Sequence, residues 1–180
     1  KFHAVRGVGF VYKKAGKKIT PFLTGGGQEK DLRSTTENVA GIASMAKALR
    51  LVTDKEEFSL PKIAKMKKII FDELAKYEDI TIFSGEGEDF APNILTFGIK
   101  GVRGEVVVHA FEEHQIYIST TSACSSKAGK PAGTLISMGI PTKLAQTAVR
   151  ISLDDDNDMG QVEQFLTIFK QVYAKTQKVR

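Results

Sequence analysis

The 180-residue sequence predicts an α/β fold, a small mixed or antiparallel sheet covered by helices on one face. Short apolar, β-branched runs alternate with segments of helical periodicity along the whole chain. Helix-start signals fall where those helical segments begin, at Ser34, Pro61 and Pro141. With 42% hydrophobic residues and ordinary glycine and proline levels, the chain can bury one core and part of a second.

Residues 7–12 open on a glycine and run on as a short apolar, β-branched and aromatic stretch, which predicts a strand, and residues 19–23 predict a second short one. Gly25, Gly26 and Gly27 with the polar stretch 28–36 read as a loop. Ser34 and Glu37 have capping-box spacing, and Val39, Ile42, Ala43, Ala46 and Leu49 recur at helical spacing, so a helix is expected to start near residues 34–36. Pro61 is suited to the first helical position, and Ile63, Met66, Ile69, Ile70 and Leu74 give the helix it opens an apolar face. After a turn at 85–89, residues 94–99 predict a strand. Residues 105–113 fit a strand or a helix, and helix is preferred because Val106, Val107, Ala110 and Phe111 share one face. Residues 116–119 predict a strand running into the hydroxylated segment 120–126, Pro141 starts another helix, and residues 149–153 form a strand. A final amphipathic helix carries Val162, Phe165, Leu166, Phe169, Val172 and Tyr173. No internal repeat, low-complexity stretch or flexible linker interrupts the pattern.

Composition excludes several classes of function. The formal charge of +5 is spread over lysine groups at 13–18 and 62–68, faced by an acidic run at 154–156. Without a basic stripe interleaved with aromatics, these lysines read as solvated faces, and no direct nucleic-acid binding is expected. No apolar run approaches the roughly 18 to 20 residues of a membrane span, and no signal-peptide pattern opens the chain, so no membrane partner and a cytoplasmic location are expected. A single cysteine, Cys124, rules out an internal disulfide and a Cys-based zinc site. His3, His109 and His114 lack metal-ligand spacing. A calcium loop started at Asp154 would have Met159 at the glycine position and Phe165 at the bidentate-glutamate position, so capping of the next helix explains the acidic run better.

Three features suggest chemistry. A lone cytosolic cysteine is most often a small buried hydrophobe. Cys124, however, is surrounded by Thr120, Thr121, Ser122, Ala123, Ser125, Ser126 and Gly129, which cannot pack a core, and Lys127 would favour the reactive thiolate. Arg33, Ser34, Thr35 and Thr36 gather hydroxyls and a cation at an expected helix start, a setting that favours an anion, although capping alone explains Ser34. Arg150 sits in a short apolar strand, where an arginine needs an anionic partner, either a structural carboxylate or a ligand.

Five separated segments together resemble the cysteine desulfurases, within the class V aminotransferase group of fold-type-I pyridoxal-phosphate enzymes. They are Lys1-Phe2-His3 with Gly7-Val8-Gly9, Gly25-Gly26-Gly27-Gln28-Glu29, Arg33-Ser34-Thr35-Thr36-Glu37-Asn38-Val39, Ser122-Ala123-Cys124-Ser125-Ser126, and Val149-Arg150-Ile151-Ser152-Leu153. They occur in the family's order and at similar spacing over nearly the whole chain. The resemblance implies the C-terminal portion of such an enzyme: residues 1–52 as the tail end of the cofactor-binding large domain with an interface helix, and residues 53–180 as the small domain with the cysteine loop.

Carried over residue by residue, the resemblance implies that Lys1 is the lysine holding pyridoxal 5'-phosphate. It makes Thr36 the threonine that reaches the cofactor phosphate of a partner subunit, so a homodimer is expected. Cys124 becomes the persulfide-forming cysteine, and Arg150 the arginine that clamps the carboxylate of the substrate, L-cysteine. The implied reaction gives L-alanine and a persulfide on Cys124. The implied sulfur acceptor is an iron–sulfur cluster scaffold or a tRNA-thiolation enzyme. Ala4 and Val5 stand where the family usually has Gly-Pro, and Thr35 where glycine is common; both departures concern loop shape. The competing readings are a selenocysteine lyase on the same fold and a non-catalytic interaction fragment. The residues expected to hold the pyridine ring are absent from this sequence, so the 180-residue fragment alone is expected to be inactive.

Overall fold

The computed structural model describes residues 2–87, 89–120 and 133–177. In chain order the elements are α1 (Val39–Leu74), β1 (Ile80–Ile82), β2 (Ile94–Ile99), α2 (Gly104–Glu112), β3 (Ser119–Thr120), α3 (Gly133–Ser137), α4 (Thr142–Ala145), β4 (Ala148–Ser152) and α5 (Met159–Gln177). The chain divides into two compact units, Lys1–Glu57 and Phe58–Arg180.

In the first unit the described residues before α1 form turns and irregular backbone. The strands expected at 7–12 and 19–23 are absent. A strand exists through its ladder, and no described segment of this unit offers these residues an edge. Their side chains find no core either: Phe10, Val11 and Tyr12 are exposed. The loop at 25–36 is present, and within it Glu29, Lys30 and Asp31 all take positive φ, at 51°, 58° and 62°. Three consecutive left-handed residues without glycine are costly. The turn is tied by Asp31 N–H to the Gly27 carbonyl and Leu32 N–H to the Glu29 carbonyl, both at 3.1 Å.

Helix α1 begins at Val39 rather than at residues 34–36. Its cap is Asn38, whose Oδ1 accepts the Gly41 N–H at 3.0 Å, while the Ser34 N–H donates to the Leu23 carbonyl. Asparagine is as good a cap as serine, and here it lies nearer the apolar repeat. Pro61 also departs from expectation, lying inside α1 instead of opening a second helix. The helix runs through it because helix formers flank it and because Ile63, Met66, Ile70 and Leu74 bury the following turns.

The second unit is built on a four-stranded sheet, order β1-β2-β4-β3, antiparallel throughout. The expected strands at 94–99 and 149–153 and the helices after 104, 141 and 159 all form. Strand β1 and helix α3 were not anticipated, because three residues and five residues are too short for a periodic signal. The strand expected at 116–119 is reduced to Ser119–Thr120.

Alternation along the two central strands divides the sheet. Leu95, Phe97 and Ile99 of β2 and Val149 and Ile151 of β4 face one way and are buried. Against them pack Met66, Ile70 and Leu74 of α1, Val107 and Phe111 of α2, and Val162, Phe165, Phe169 and Val172 of α5. Phe111 stacks on Phe165 at 5.1 Å, and Tyr77 meets Phe169 edge-on at 5.2 Å. Thr96, Gly98, Ala148, Arg150 and Ser152 point to the opposite face. There a smaller cluster of Phe83, Leu135, Ala145 and Ala148 covers only part of the sheet.

Glu73, near the end of α1, accepts hydrogen bonds from Lys76 Nζ at 2.6 Å and from Tyr77 Oη at 3.4 Å, and pairs with Lys170 Nζ of α5 at 3.3 Å. The Lys76 hydrogen bond, more than offsetting desolvation and helped by Lys170, holds the Glu73 carboxyl below its ordinary value of 4.5. A depressed carboxyl contributes stability that is full above the ordinary value and is lost as pH falls through the lowered one. Both lysines are more than half exposed, so screening limits the contribution to at most about 1 kcal/mol. Denaturant unfolding from pH 7 down to pH 2 should therefore show a shallower acid decline for Glu73→Gln than for the parent below about 4.5.

Candidate functional site

The sheet face turned away from the large helices carries the polar groups. Arg150 lies at its centre, with Thr96 of β2 as its Cα partner on one side and Ser119 of β3 on the other. The guanidinium stem is half-buried, and Nε is fully buried with no hydrogen-bond partner. No carboxylate among the described residues pairs with it. Arginine is always charged, and burying one of its donors unpaired costs on the order of 1–3 kcal/mol unless a ligand or another group takes the bond. The structural ion pair that the sequence left open therefore has no partner here.

The shelf around Arg150 is tightly fitted. Thr96 is buried, and its N–H donates to Ser84 Oγ at 2.8 Å. The Thr96 carbonyl accepts from both Phe83 N–H at 2.8 Å and Ser84 N–H at 3.4 Å. Buried Thr147 donates its hydroxyl to the Leu144 carbonyl at 2.7 Å. A Cβ on Gly98 would collide with that same Thr147 oxygen and crowd the Phe83 ring at 3.2 Å. Glycine is required at 98 by this close approach.

Lys67 of α1 is buried, and its Nζ donates to the Gly85 carbonyl at 3.3 Å and the Ala91 carbonyl at 2.9 Å, pinning the loop that follows β1. Burial lowers the Lys67 pKa, and Glu86 partly restores it. Neither Ser84 nor Lys67 was singled out in the sequence. The only signal for Lys67 was its place among Ile63, Met66, Ile70 and Leu74 on the apolar side of a helix. The acidic run serves as a cap: Asp158 Oδ1 accepts the Gln161 N–H at 2.9 Å at the start of α5.

Of the four residues expected to carry the chemistry, the structure describes two. Arg150 is placed as above. Thr36 is exposed, two residues before the Asn38 cap, with Arg33 Nη1 donating to Thr35 Oγ1 at 3.1 Å nearby. The cluster 33–36 thus precedes the helix instead of forming its first turn, because the helix starts later than expected. Lys1 and Cys124 lie outside the described residues. Among the described residues no three of His, Cys, Asp and Glu gather as a metal site, and no helix is long and apolar enough to cross a membrane.

A NifS-like protein from Rickettsia africae superposes over 88% of this chain with a TM-score of 0.72 at 31% identity, and the match spans 41% of that chain. The aminotransferase class-V family model matches residues 1–165, and the chain belongs to that family. It is 46% identical over 179 residues to a NifS/IcsS protein homolog of Lactobacillus delbrueckii subsp. bulgaricus, covering 99% of this chain and 46% of that protein. It is 32% identical over 153 residues to a cysteine desulfurase IscS of Dictyoglomus turgidum, covering 85% of this chain and 39% of that protein. The chain thus spans less than half the length of these relatives. The family depends on pyridoxal phosphate.

Overpacking at a backbone approach this close typically costs about 1–3 kcal/mol. Gly98→Ala should lower the unfolding midpoint in denaturant accordingly, whereas Gly87→Ala, where nothing lies within 4 Å, should be limited to the strain of its positive φ.

Proposed function

We propose that this chain is the C-terminal portion of a pyridoxal-phosphate-dependent cysteine desulfurase, with residues 1–52 closing the large domain and residues 53–180 forming the small domain. The observation that carries this reading is the buried, unpaired Nε of Arg150 on the sheet face turned away from α1, α2 and α5. A planar guanidinium with spare donors suits a bidentate carboxylate, which every amino-acid substrate has. Family membership and the names of the relatives supply the rest.

The residues of this chain fit the cofactor: Lys1 offers an amine for covalent attachment, and the exposed hydroxyl of Thr36 can donate to a phosphate oxygen. When bound, pyridoxal phosphate supplies an electron sink that makes the Cα proton of an amino acid acidic. Arg150 binds and orients the L-cysteine carboxylate. Lys1 Nζ takes and returns the proton at the substrate Cα. The Cys124 thiolate attacks the substrate sulfur; a sulfur–sulfur bond forms, the carbon–sulfur bond breaks with its electron pair left on carbon, Cβ takes up a proton from solvent, and the carbon skeleton leaves as L-alanine. The persulfide then passes to a sulfur-acceptor protein, an iron–sulfur scaffold or a tRNA-thiolation enzyme. Thr36 reaching a second subunit's phosphate makes the working unit a homodimer in the cytoplasm.

Two variants of the full-length enzyme test this reading. After incubation with L-cysteine, mass spectrometry of Cys124→Ser should show no protein persulfide while the cofactor absorbance is retained. A persulfide on another residue would remove Cys124 as the acceptor. Arg150→Lys should raise KM for L-cysteine by about tenfold or more, since an ammonium cannot reproduce the bidentate pair. An unchanged KM would remove Arg150 from substrate binding.

A further inference from the structure

Strand β1 ends at Ile82, yet the chain stays against β2 for two more residues. Phe83 and Ser84 both direct their N–H groups at the single carbonyl of Thr96, and the Thr96 N–H turns to the Ser84 hydroxyl at 2.8 Å. Two residues facing one is a β-bulge, a device that re-aims the neighbouring side chains. In a regular ladder a backbone carbonyl would accept the Thr96 N–H; here a side-chain oxygen replaces it. Thr96 is only 8% exposed, so water is a poor substitute if that oxygen is removed.

The position of this bulge matters because Thr96 is the Cα partner of Arg150. Both backbone groups of Thr96 are spent on Phe83 and Ser84, so its pairing with Arg150 is of the non-hydrogen-bonded kind, in which opposed side chains approach most closely. A shift of β2 at Thr96 is therefore passed directly to the stem of Arg150. Ser84 is itself held, because Gly85 gives its carbonyl to Lys67 and a Cβ on Gly85 would collide with the Phe90 ring.

We propose that Ser84 is a positioning residue for Arg150: its hydroxyl, by anchoring the Thr96 N–H, fixes the direction in which the guanidinium is presented to a substrate carboxylate. This rests on the reading of Arg150 as a carboxylate clamp.

The test is a double-mutant cycle in the full-length enzyme, reading KM and kcat for L-cysteine in Ser84→Ala, Ser84→Thr, Arg150→Lys and the Ser84→Ala/Arg150→Lys pair. Ser84→Ala should raise KM by about tenfold with a smaller change in kcat, since a buried donor loses its partner and the clamp loses its aim. Ser84→Thr, which keeps the hydroxyl on a β-branched side chain, should restore the parent KM. In the Arg150→Lys background the Ser84→Ala step should add less than about twofold, the mark of residues that act through one another. Full additivity would overturn the proposal, as would an unchanged KM in Ser84→Ala beside a raised KM in Arg150→Lys. An unchanged KM in Arg150→Lys would overturn the clamp and this inference together. Should Ser84→Ala be too unstable to purify, Ser84→Cys, of similar size and a weak acceptor, gives the same comparison.

Discussion

The second unit depends on the alternation along the paired strands β2 and β4. Every other residue, Leu95, Phe97, Ile99, Val149 and Ile151, is committed to the helices, and that commitment fixes the register, because a slip by one residue would invert both strands. The residues between have no such duty. Arg150 can be an arginine because Val149 and Ile151 hold its strand in place. An apolar core on one side thus supports a charged, incompletely satisfied group on the other.

The two units differ in what stabilises them. In the second, helices α1, α2 and α5 and one face of the sheet converge on an aromatic-rich core. In the first, Gly41 is the only buried position among the described residues, and Phe10, Val11, Tyr12 and Phe22 stand exposed. A segment so rich in unburied apolar area does not fold on its own hydrophobic account.

Much of the second unit was legible in the sequence for physical reasons. Long periodic segments such as 159–177 and clear alternation such as 94–99 are local signals, and both formed as expected. The strands expected at 7–12 and 19–23 failed because strand formation depends on a partner that local sequence does not reveal. Pro61 misled because a proline suited to a first turn is also tolerated within a helix anchored by tertiary packing. In the site, Arg150 stood out as a charge in an apolar strand, whereas Ser84 could not: its importance comes from a bulge that exists only once β1 and β2 are paired. The motif resemblance reached further than periodicity did, to the aminotransferase class-V family whose model matches residues 1–165.

Pro61 has a consequence for how α1 moves. Lacking an N–H, it leaves the carbonyl four residues earlier, at Glu57, without its helical donor, and Glu57 is where the first unit ends. Helical cooperativity is carried from bond to bond, so a missing rung uncouples the fluctuations on its two sides. Amide hydrogen exchange along α1 then falls into two regimes. Beyond Ile63, where Met66, Ile70 and Leu74 are locked into the core, amides exchange only with opening of the second unit. Ahead of the proline, where Gly41 is the only buried described position of the first unit, the same helix should exchange by local fraying.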